Sequence, residues 1–143
     1  GKAAPVLLLQ RVGSAEIFVP APGQGALALE FRRDDTAIQN LLEPLRDKEA
    51  ESCTAAERAL MSRLQAGCHV PLGAHAVLQG ELLVLSAFLA YPDGHQVLRM
   101  SQTGSPGRPS ALAEVLAGRL LAAGAQPILD FARAALEKAK DRR

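Results

Sequence analysis

Residues 72–103, LGAHAVLQGELLVLSAFLAYPDGHQVLRMSQT, decide the fold of this chain. Two turn signals, Gln79-Gly80-Glu81 and Pro92-Asp93-Gly94, divide the stretch into three runs with strand character. The middle run is apolar on both faces, which is typical of a well-covered strand, and the last run is more polar, which favours a sheet edge. The pattern predicts a three-stranded antiparallel meander with strands over 72–79, 82–91 and 95–103.

Two helical patterns precede the sheet. The first is expected to begin at a cap on Asp35 or Thr36 and to end near Leu45, because Pro44 limits its length. The second is expected to run from about Glu49 to Gln65. One face of each helix is apolar and is predicted to be buried: Ile38, Leu41, Leu42 and Leu45 in the first helix, and Cys53, Ala56, Leu60 and Leu64 in the second.

Two more helical patterns follow the sheet. Ser110 is predicted to cap the first, and Gly124 is predicted to end it in a left-handed conformation. The last helix is expected to start near Pro127, since proline is tolerated in a first turn. This order of elements predicts an α+β fold, a three-stranded antiparallel sheet packed with helices. The faces predicted to be buried are Leu112, Val115, Leu116 and Leu120 in one helix, and Ile128, Leu129, Ala132 and Leu136 in the other.

The N-terminal part has a different character. It contains short apolar runs, and Ala26–Phe31 is predicted to be a strand that needs partners from elsewhere. We therefore divide the chain into a segment of orphan strands, residues 1–33, and an α+β domain, residues 34–143. Because unpaired apolar strands invite pairing with another chain, the isolated chain is expected to self-associate or to leave residues 1–33 poorly ordered. The start of the chain is interpreted as lying inside a longer polypeptide.

Composition narrows the function classes. Almost half of the 143 residues are apolar (48%), and the net charge is +1 with both signs mixed along the chain. This balance gives no electrostatic case for binding nucleic acid or an anionic membrane. Two cysteines do not make a disulfide framework, and no secretory signal or membrane-length apolar run is visible. We expect a soluble protein of a reducing compartment.

One thiol has a suggestive setting. The pentad Gly67-Cys68-His69-Val70-Pro71 places Cys68 in a corner between a helix and a strand, where a thiol can be exposed enough to react. The alternative is that Cys68 is a small buried hydrophobe, which is the common role of a free cysteine. Cys53, inside a helical pattern, is interpreted as structural.

Other motifs favour ordinary structural roles. Gly23-Gln24-Gly25 fails the dinucleotide-binding pattern, because Ala28 stands where the third glycine is required, and is interpreted as a flexible corner. Glu57 and Arg58 are adjacent, so they do not face each other on a helix, and are interpreted as a surface charge pair. The three histidines have no zinc-site spacing, so no metal is expected: His69, His75 and His95.

Several stretches, taken together, resemble porphobilinogen deaminase, also called hydroxymethylbilane synthase. Their order and spacing match from about residue 15 to residue 137. Each motif is weak alone, but four in series are specific. The stretches are PAPGQGALALE at 20–30, AERAL at 56–60 with Leu64 and the 67–71 turn, Gly73-Ala74-x-Ala76, and Gly124-Ala125-x-x-Ile128-Leu129.

The resemblance implies a transferase of tetrapyrrole (porphyrin and haem) biosynthesis. The family joins four porphobilinogen molecules head to tail into linear hydroxymethylbilane and releases ammonia. Its dipyrromethane cofactor is attached through a thioether to the cysteine of the Gly-Cys-x-Val-Pro turn, and Cys68 occupies that place. The chemistry is consistent with a thiol, because loss of ammonia leaves an electrophilic carbon that a soft sulfur nucleophile captures.

The resemblance also implies what the chain lacks. The family has three domains, and residues from about Asp34 onward resemble the third, which carries the cofactor. Gln24 and Gly25 fall on a segment that returns to the first domain near the cofactor cleft. The family's catalytic aspartate and its carboxylate-binding arginines and lysines lie upstream, so no catalytic residue is expected here. The chain alone is expected to be inactive and to need the missing N-terminal domains as partners, together with porphobilinogen in the cytoplasm.

Departures from the family pattern leave the turn intact. Ala66 stands where glycine is frequent, His69 where glutamine or serine is frequent, and Ala28 where glycine is frequent. A different class of function stays open beside the enzyme, namely a stand-alone binding or interaction module that kept the domain and lost catalysis. Retention of the Gly67–Pro71 turn disfavours this alternative, since a module without cofactor has no need of it.

Overall fold

The computed structural model describes residues 18–67 and 69–140, without the side chains of residues 139 and 140. The elements alternate as the sequence pattern predicts: helices, then a sheet, then helices. A short 3-10 turn, Glu43–Leu45, extends the first helix. The elements are α1 (Thr36–Leu42), α2 (Lys48–Arg63), β1 (Leu72–Gln79), β2 (Leu82–Ala90), β3 (Val97–Gly104), α3 (Pro109–Ala122) and α4 (Ala125–Lys140).

The sheet is an antiparallel meander in the order β1-β2-β3. Ala76 pairs with Leu85 between the first two strands, and Ala87 pairs with Met100 between the last two. The α+β class, the three strands and the edge position of the last strand are therefore confirmed. Strand β2 has one fully buried face, and its other face is partly covered.

The core lies between one face of the sheet and the helices. Alternate residues of β2 point into it, and α2 and α3 pack against each other and against the sheet. The chain has no tryptophan and four phenylalanines, so leucine fills most of this space. The largest fully buried side chains are Leu60, Leu64, Leu83, Leu85, Leu89, Leu116, Leu120, Ile128 and Leu129.

Capping residues set most helix boundaries. The Asp35 carboxylate accepts a hydrogen bond from the Ile38 N–H at 3.1 Å, which confirms it as the cap of α1. Gly124 has a φ of +97°, which confirms the left-handed end of α3. The prediction for Ser110 is wrong, because α3 begins one residue earlier at Pro109, and Arg108 in the cap position gives no side-chain cap.

The buried face predicted for α1 is wrong, and the orphan strand predicted over residues 26–31, which needs partners from elsewhere, stays a prediction. Residues 26–31 have no strand pairing, and the side chain of Leu27 is 98% exposed. Helix α1 buries none of its residues, and Leu41 is 70% exposed. Both segments are apolar but meet no complementary surface within the described residues, so local pattern alone could not bury them. Val115 of α3 is likewise half exposed.

A side chain of α3 reaches the outer edge of β3. The Arg119 guanidinium donates hydrogen bonds to the Ser101 carbonyl oxygen at 2.9 Å and to Gln102 Oε1 at 2.7 Å. On the exposed face of the sheet, the Ser86 and Ser101 hydroxyls share a hydrogen bond of 2.9 Å. An outward carbonyl of the edge strand therefore already has a donor.

No single helix in residues 18–67 and 69–140 combines the length and the apolar composition needed to cross a bilayer. Helices α3 and α4 reach the required length and apolar composition only when they are taken together, and the chain bends by 90° at the break between them.

Replacing Leu85 by alanine should lower the free energy of unfolding by about 2–5 kcal/mol, because Leu85 is fully buried and its loss leaves a cavity. The matched control is Leu82→Ala on the same strand, where the side chain is 52% exposed and the cost should be well below that of Leu85→Ala. Urea unfolding of the two variants measures the difference. Equal destabilisation would contradict the placement of β2 in the core.

Candidate functional site

A tight turn connects α2 to β1. The Val70 N–H donates a hydrogen bond to the Gly67 carbonyl oxygen at 3.0 Å, and Gly67 is exposed. A Cβ at position 67 would lie 2.9 Å from Cε1 of His69, so the glycine lets the imidazole approach the backbone. Cys68 lies outside the described residues, and its role stays a prediction.

The imidazole of His69 carries an unused polar atom. Its Nε2 is buried and has no hydrogen-bond partner among residues 18–67 and 69–140. A buried polar atom without a partner carries a desolvation cost, and such atoms are rare in native proteins. The residue following Cys68 in sequence therefore offers a free hydrogen-bonding position.

The segment Phe18–Gly25 packs along the outer edge of β1. The Ala74 N–H donates to the Pro20 carbonyl oxygen at 2.8 Å. A Cβ at Gly73 would lie 2.6 Å from the Val19 carbonyl oxygen, a distance that no side chain can occupy. Glycine at position 73 therefore permits the close approach of the two backbones.

Glu57 anchors the same segment. Its carboxylate accepts hydrogen bonds from the Gly23 N–H at 2.6 Å and from the Ala76 N–H at 2.7 Å. The residue is 5% exposed. The prediction of a surface charge pair is wrong for Glu57, although its neighbour Arg58 is exposed.

A signal for this burial was present in the sequence. The spacing Cys53, Glu57, Leu60, Leu64 is four, three and four residues, so Glu57 lies within the buried stripe of α2. A carboxylate in such a stripe indicates a buried acceptor with its own donors, because an unpaired buried charge is costly.

Two outward N–H groups of β1 have acceptors of different kinds. Ala74 donates to a backbone carbonyl and Ala76 to the Glu57 carboxylate. Every second residue of the strand faces away from β2, so these two groups would otherwise lie on an open edge.

The Cys53 thiol is poorly suited to act as a nucleophile. Burial raises its pKa above the ordinary thiol value, and the negative charges of Glu49 and Glu57 raise the pKa further. The thiolate is the reactive form, so this environment suppresses reactivity at neutral pH. The structural interpretation of Cys53 is consistent with these surroundings.

The three histidines do not converge. His75 Nδ1 lies 3.7 Å from Glu57 Oε1, whereas His95 Nδ1 lies 2.6 Å from Asp93 Oδ1 on the turn between β2 and β3. In the part of the chain that the structure describes, no group of three or more His, Cys, Asp or Glu residues is arranged to hold a metal ion.

Of the other predicted site residues, Gln24 and Gly25 lie in an exposed turn. Gly25 has a φ of +85°, which suits a glycine. It lines a cleft of about 820 Å³ between residues 25–31 and the helical residues 39–54. Neither Gly67 nor His69 lines this cleft.

The cleft combines apolar walls with an acidic rim. The apolar lining includes Leu27, Leu29, Phe31, Leu42 and Leu45. Glu43, Asp47 and Glu51 also line the cleft. The guanidinium of Arg46, which lines it too, bonds to Glu51 at 2.7 Å and reaches Glu43 at 3.4 Å. This charge balance favours an apolar partner over a ligand rich in carboxylates.

Comparison with known families bears on this architecture. The model of the family described as "Porphobilinogen deaminase, C-terminal domain" matches residues 51–122, which run from α2 through α3. The chain belongs to the porphobilinogen deaminase family. The resemblance found in the sequence motifs is thereby confirmed, and the family is one of transferases in tetrapyrrole biosynthesis.

Curated relatives named porphobilinogen deaminase are similar over most of this chain. The Thiobacillus denitrificans protein is 43% identical over 117 residues, which cover 82% of this chain and 38% of the relative. The Chromobacterium violaceum protein is 42% identical over 130 residues, which cover 85% and 42%. The Syntrophobacter fumaroxidans protein is 41% identical over 113 residues, which cover 79% and 37%. The chain thus spans about two fifths of the length of these porphobilinogen deaminases.

Replacing Gly73 by alanine should detach the Phe18–Gly25 segment from β1, because the new Cβ would collide with the Val19 carbonyl. The expected cost is about 1–3 kcal/mol of unfolding free energy, with faster amide exchange at Ala74. Gly118→Ala is the control, since nothing lies within 4 Å of a Cβ there and alanine favours the helix interior. Wild-type exchange at Ala74 in the Gly73 variant would refute the packing.

In a Cys68→Ser chain, Cys53 should alkylate with iodoacetamide more slowly when folded than when unfolded in urea. Its rate should keep rising with pH beyond the ordinary thiol range, because burial raises the pKa. Because the pKa of this thiol is higher in the folded chain than in the unfolded chain, the free energy of unfolding should fall as the pH rises through that range. Identical rates in the folded and unfolded states would contradict the burial of Cys53.

Proposed function

We propose that the chain is the C-terminal part of a hydroxymethylbilane synthase. In this proposal the complete enzyme joins four porphobilinogen molecules into linear hydroxymethylbilane and releases ammonia. The contribution of this part is the Cys68 thiol, which attaches a dipyrromethane cofactor through a thioether. The observation that carries the proposal is membership of the family over residues 51–122, a range that includes position 68.

The residues around position 68 fit such a group. Gly67 is exposed and lies in the turn between α2 and β1. A hydrogen bond from the Val70 N–H to the Gly67 carbonyl oxygen closes this turn. The buried His69 Nε2 has no partner in the part of the chain that the structure describes, so it can hydrogen bond with an attached group. In this proposal Cys68 holds the dipyrromethane covalently, and Gln24 and Gly25 contribute contacts. When bound, the group supplies the pyrrole end to which substrate units are added.

Attachment requires a competent nucleophile, and the two cysteines differ in this respect. The surroundings of Cys53 disfavour its thiolate, because burial raises the pKa of this thiol. Assigning the thioether to Cys68 leaves Cys53 as part of the helix–strand contact. A cytoplasmic location belongs to the proposal, because a reducing compartment keeps such a thiol free.

The rest of the active site is proposed to come from upstream. We assign residues 1–33 to the region that connects with the first two domains, and residues 34–143 to the cofactor-carrying domain. The catalytic aspartate and the basic side chains that bind substrate carboxylates then belong to those domains, and this chain alone is inactive. Leu27, Leu29 and Leu41, which are all more than half exposed, provide apolar surface for that contact.

Loading of Cys68 tests the proposal. The full chain is incubated with porphobilinogen, with and without the upstream half of the Chromobacterium violaceum relative, and analysed by intact mass and peptide mapping. In the presence of the upstream half, we expect the added mass of two deaminated porphobilinogen units on Cys68. Cys68→Ser should abolish this mass. Cys53→Ser is the matched control: it is the same chemical substitution, and it should leave the mass unchanged because the thioether is assigned to Cys68.

Three outcomes would overturn the assignment. These are undiminished loading of the Cys68→Ser chain, modification of Cys53 in the folded wild type, and an unmodified Cys68 in the presence of both the upstream half and porphobilinogen. The last outcome favours the binding module that lost catalysis.

A further inference from the structure

One buried carboxylate links two distant parts of the chain. Glu57 Oε2 accepts from the N–H of Gly23, 34 residues before it, and Oε1 accepts from the N–H of Ala76, 19 residues after it. Both distances, 2.6 and 2.7 Å, are short, as expected when the acceptor is charged. Each oxygen therefore serves a different segment.

The chemistry of this contact is specific to a carboxylate on a long side chain. An ionised glutamate offers two acceptor oxygens and no donor. A glutamine has the same length, but its NH₂ group would face one of the two backbone N–H donors, so one bond must be lost. An aspartate keeps both oxygens but is one methylene shorter, so it cannot reach both donors from the same helix position.

The two segments are those that the proposed function uses. Gly23 is the residue before Gln24 and Gly25, and its turn has few other ties to the domain: the Pro20 carbonyl bonds to Ala74, and Gly73 allows Val19 to approach. Ala76 lies in β1, the strand that follows the turn containing Cys68. The Glu57 bonds therefore fix how the Gln24 turn lies along this strand.

We propose that Glu57 is a positioning residue: it ties the Gly23–Gly25 turn to strand β1 and thereby holds Gln24 and Gly25 in place for the cofactor contacts of the proposed function. The inference rests on the proposed function for the roles of Cys68, Gln24 and Gly25. The tie itself is a property of the folded chain. Glu57 acts through the backbone of the turn and touches no reacting atom.

Amide exchange in the full chain tests the tie. In Glu57→Gln, the Gly23 or the Ala76 amide should exchange at least about tenfold faster than in wild type, because a hydrogen bond to a charged acceptor is lost. Its proton resonance should also move upfield. The Ala87 amide in the central strand is the reporter of global stability and should not change. Glu49→Gln is the matched control, because it makes the same substitution on an exposed position of the same helix.

The result that overturns the tie is unchanged exchange at both Gly23 and Ala76 in Glu57→Gln. Faster exchange at Ala87 by the same factor also overturns it, since Glu57 would then act on stability alone. If Glu57→Gln does not fold, Glu57→Asp supplies the test, with the same amides expected to lose protection in part.

Cofactor loading separates this inference from the proposed function. In the presence of the upstream half and porphobilinogen, Glu57→Gln should load Cys68 about tenfold more slowly than wild type and Glu49→Gln, because misplaced contacts reduce the fraction of productive geometries. Normal loading of Glu57→Gln with a released Gly23 amide would sink the positioning role and leave the proposed function intact. Failure of the wild type to load would sink the proposed function and the positioning role together, while amide exchange would still report on the tie.

Discussion

The free edge of strand β1 is the constraint on which the rest of the arrangement depends. Outward N–H groups such as those of Ala74 and Ala76 need acceptors, because an open edge in a half-buried position is costly. A returning segment supplies one acceptor through Pro20, and α2 supplies another through Glu57. Helix α2 is thus attached to the sheet by a polar bond as well as by leucine packing, which fixes its register on the strand.

Much of the fold was accessible from the sequence because its signals are local. The turns at Gly80 and at Pro92-Asp93-Gly94 divide the chain into strands whose predicted bounds lie within two residues of the observed ones. The Asp35 cap and the left-handed Gly124 follow from side-chain and backbone chemistry within one turn of helix. Predictions of this kind succeed because no distant residue competes with them.

The predictions that the local pattern left open or gave wrongly have one physical origin, which is dependence on distant partners. Residues 26–31 have the composition of a strand, but a strand exists only when another strand pairs with it, and none does in the described chain. Glu57 was interpreted as solvated because its two donors lie 34 and 19 residues away. The site itself was predictable mainly by resemblance. The thiol at position 68 is one of two in the chain, and the bulk composition does not distinguish them.

Arg119 adds a consequence for how this chain can meet other molecules. The guanidinium occupies the outward Ser101 carbonyl of β3, and the acceptors described above occupy N–H groups of β1, so each edge of the sheet carries bonds to groups of the same chain. An added strand would first have to displace these bonds. The exposed apolar side chains of residues 27–45 offer a different surface for contacts with other molecules. Such contacts should strengthen in sulfate salts and with warming from low temperature, as expected for burial of apolar surface.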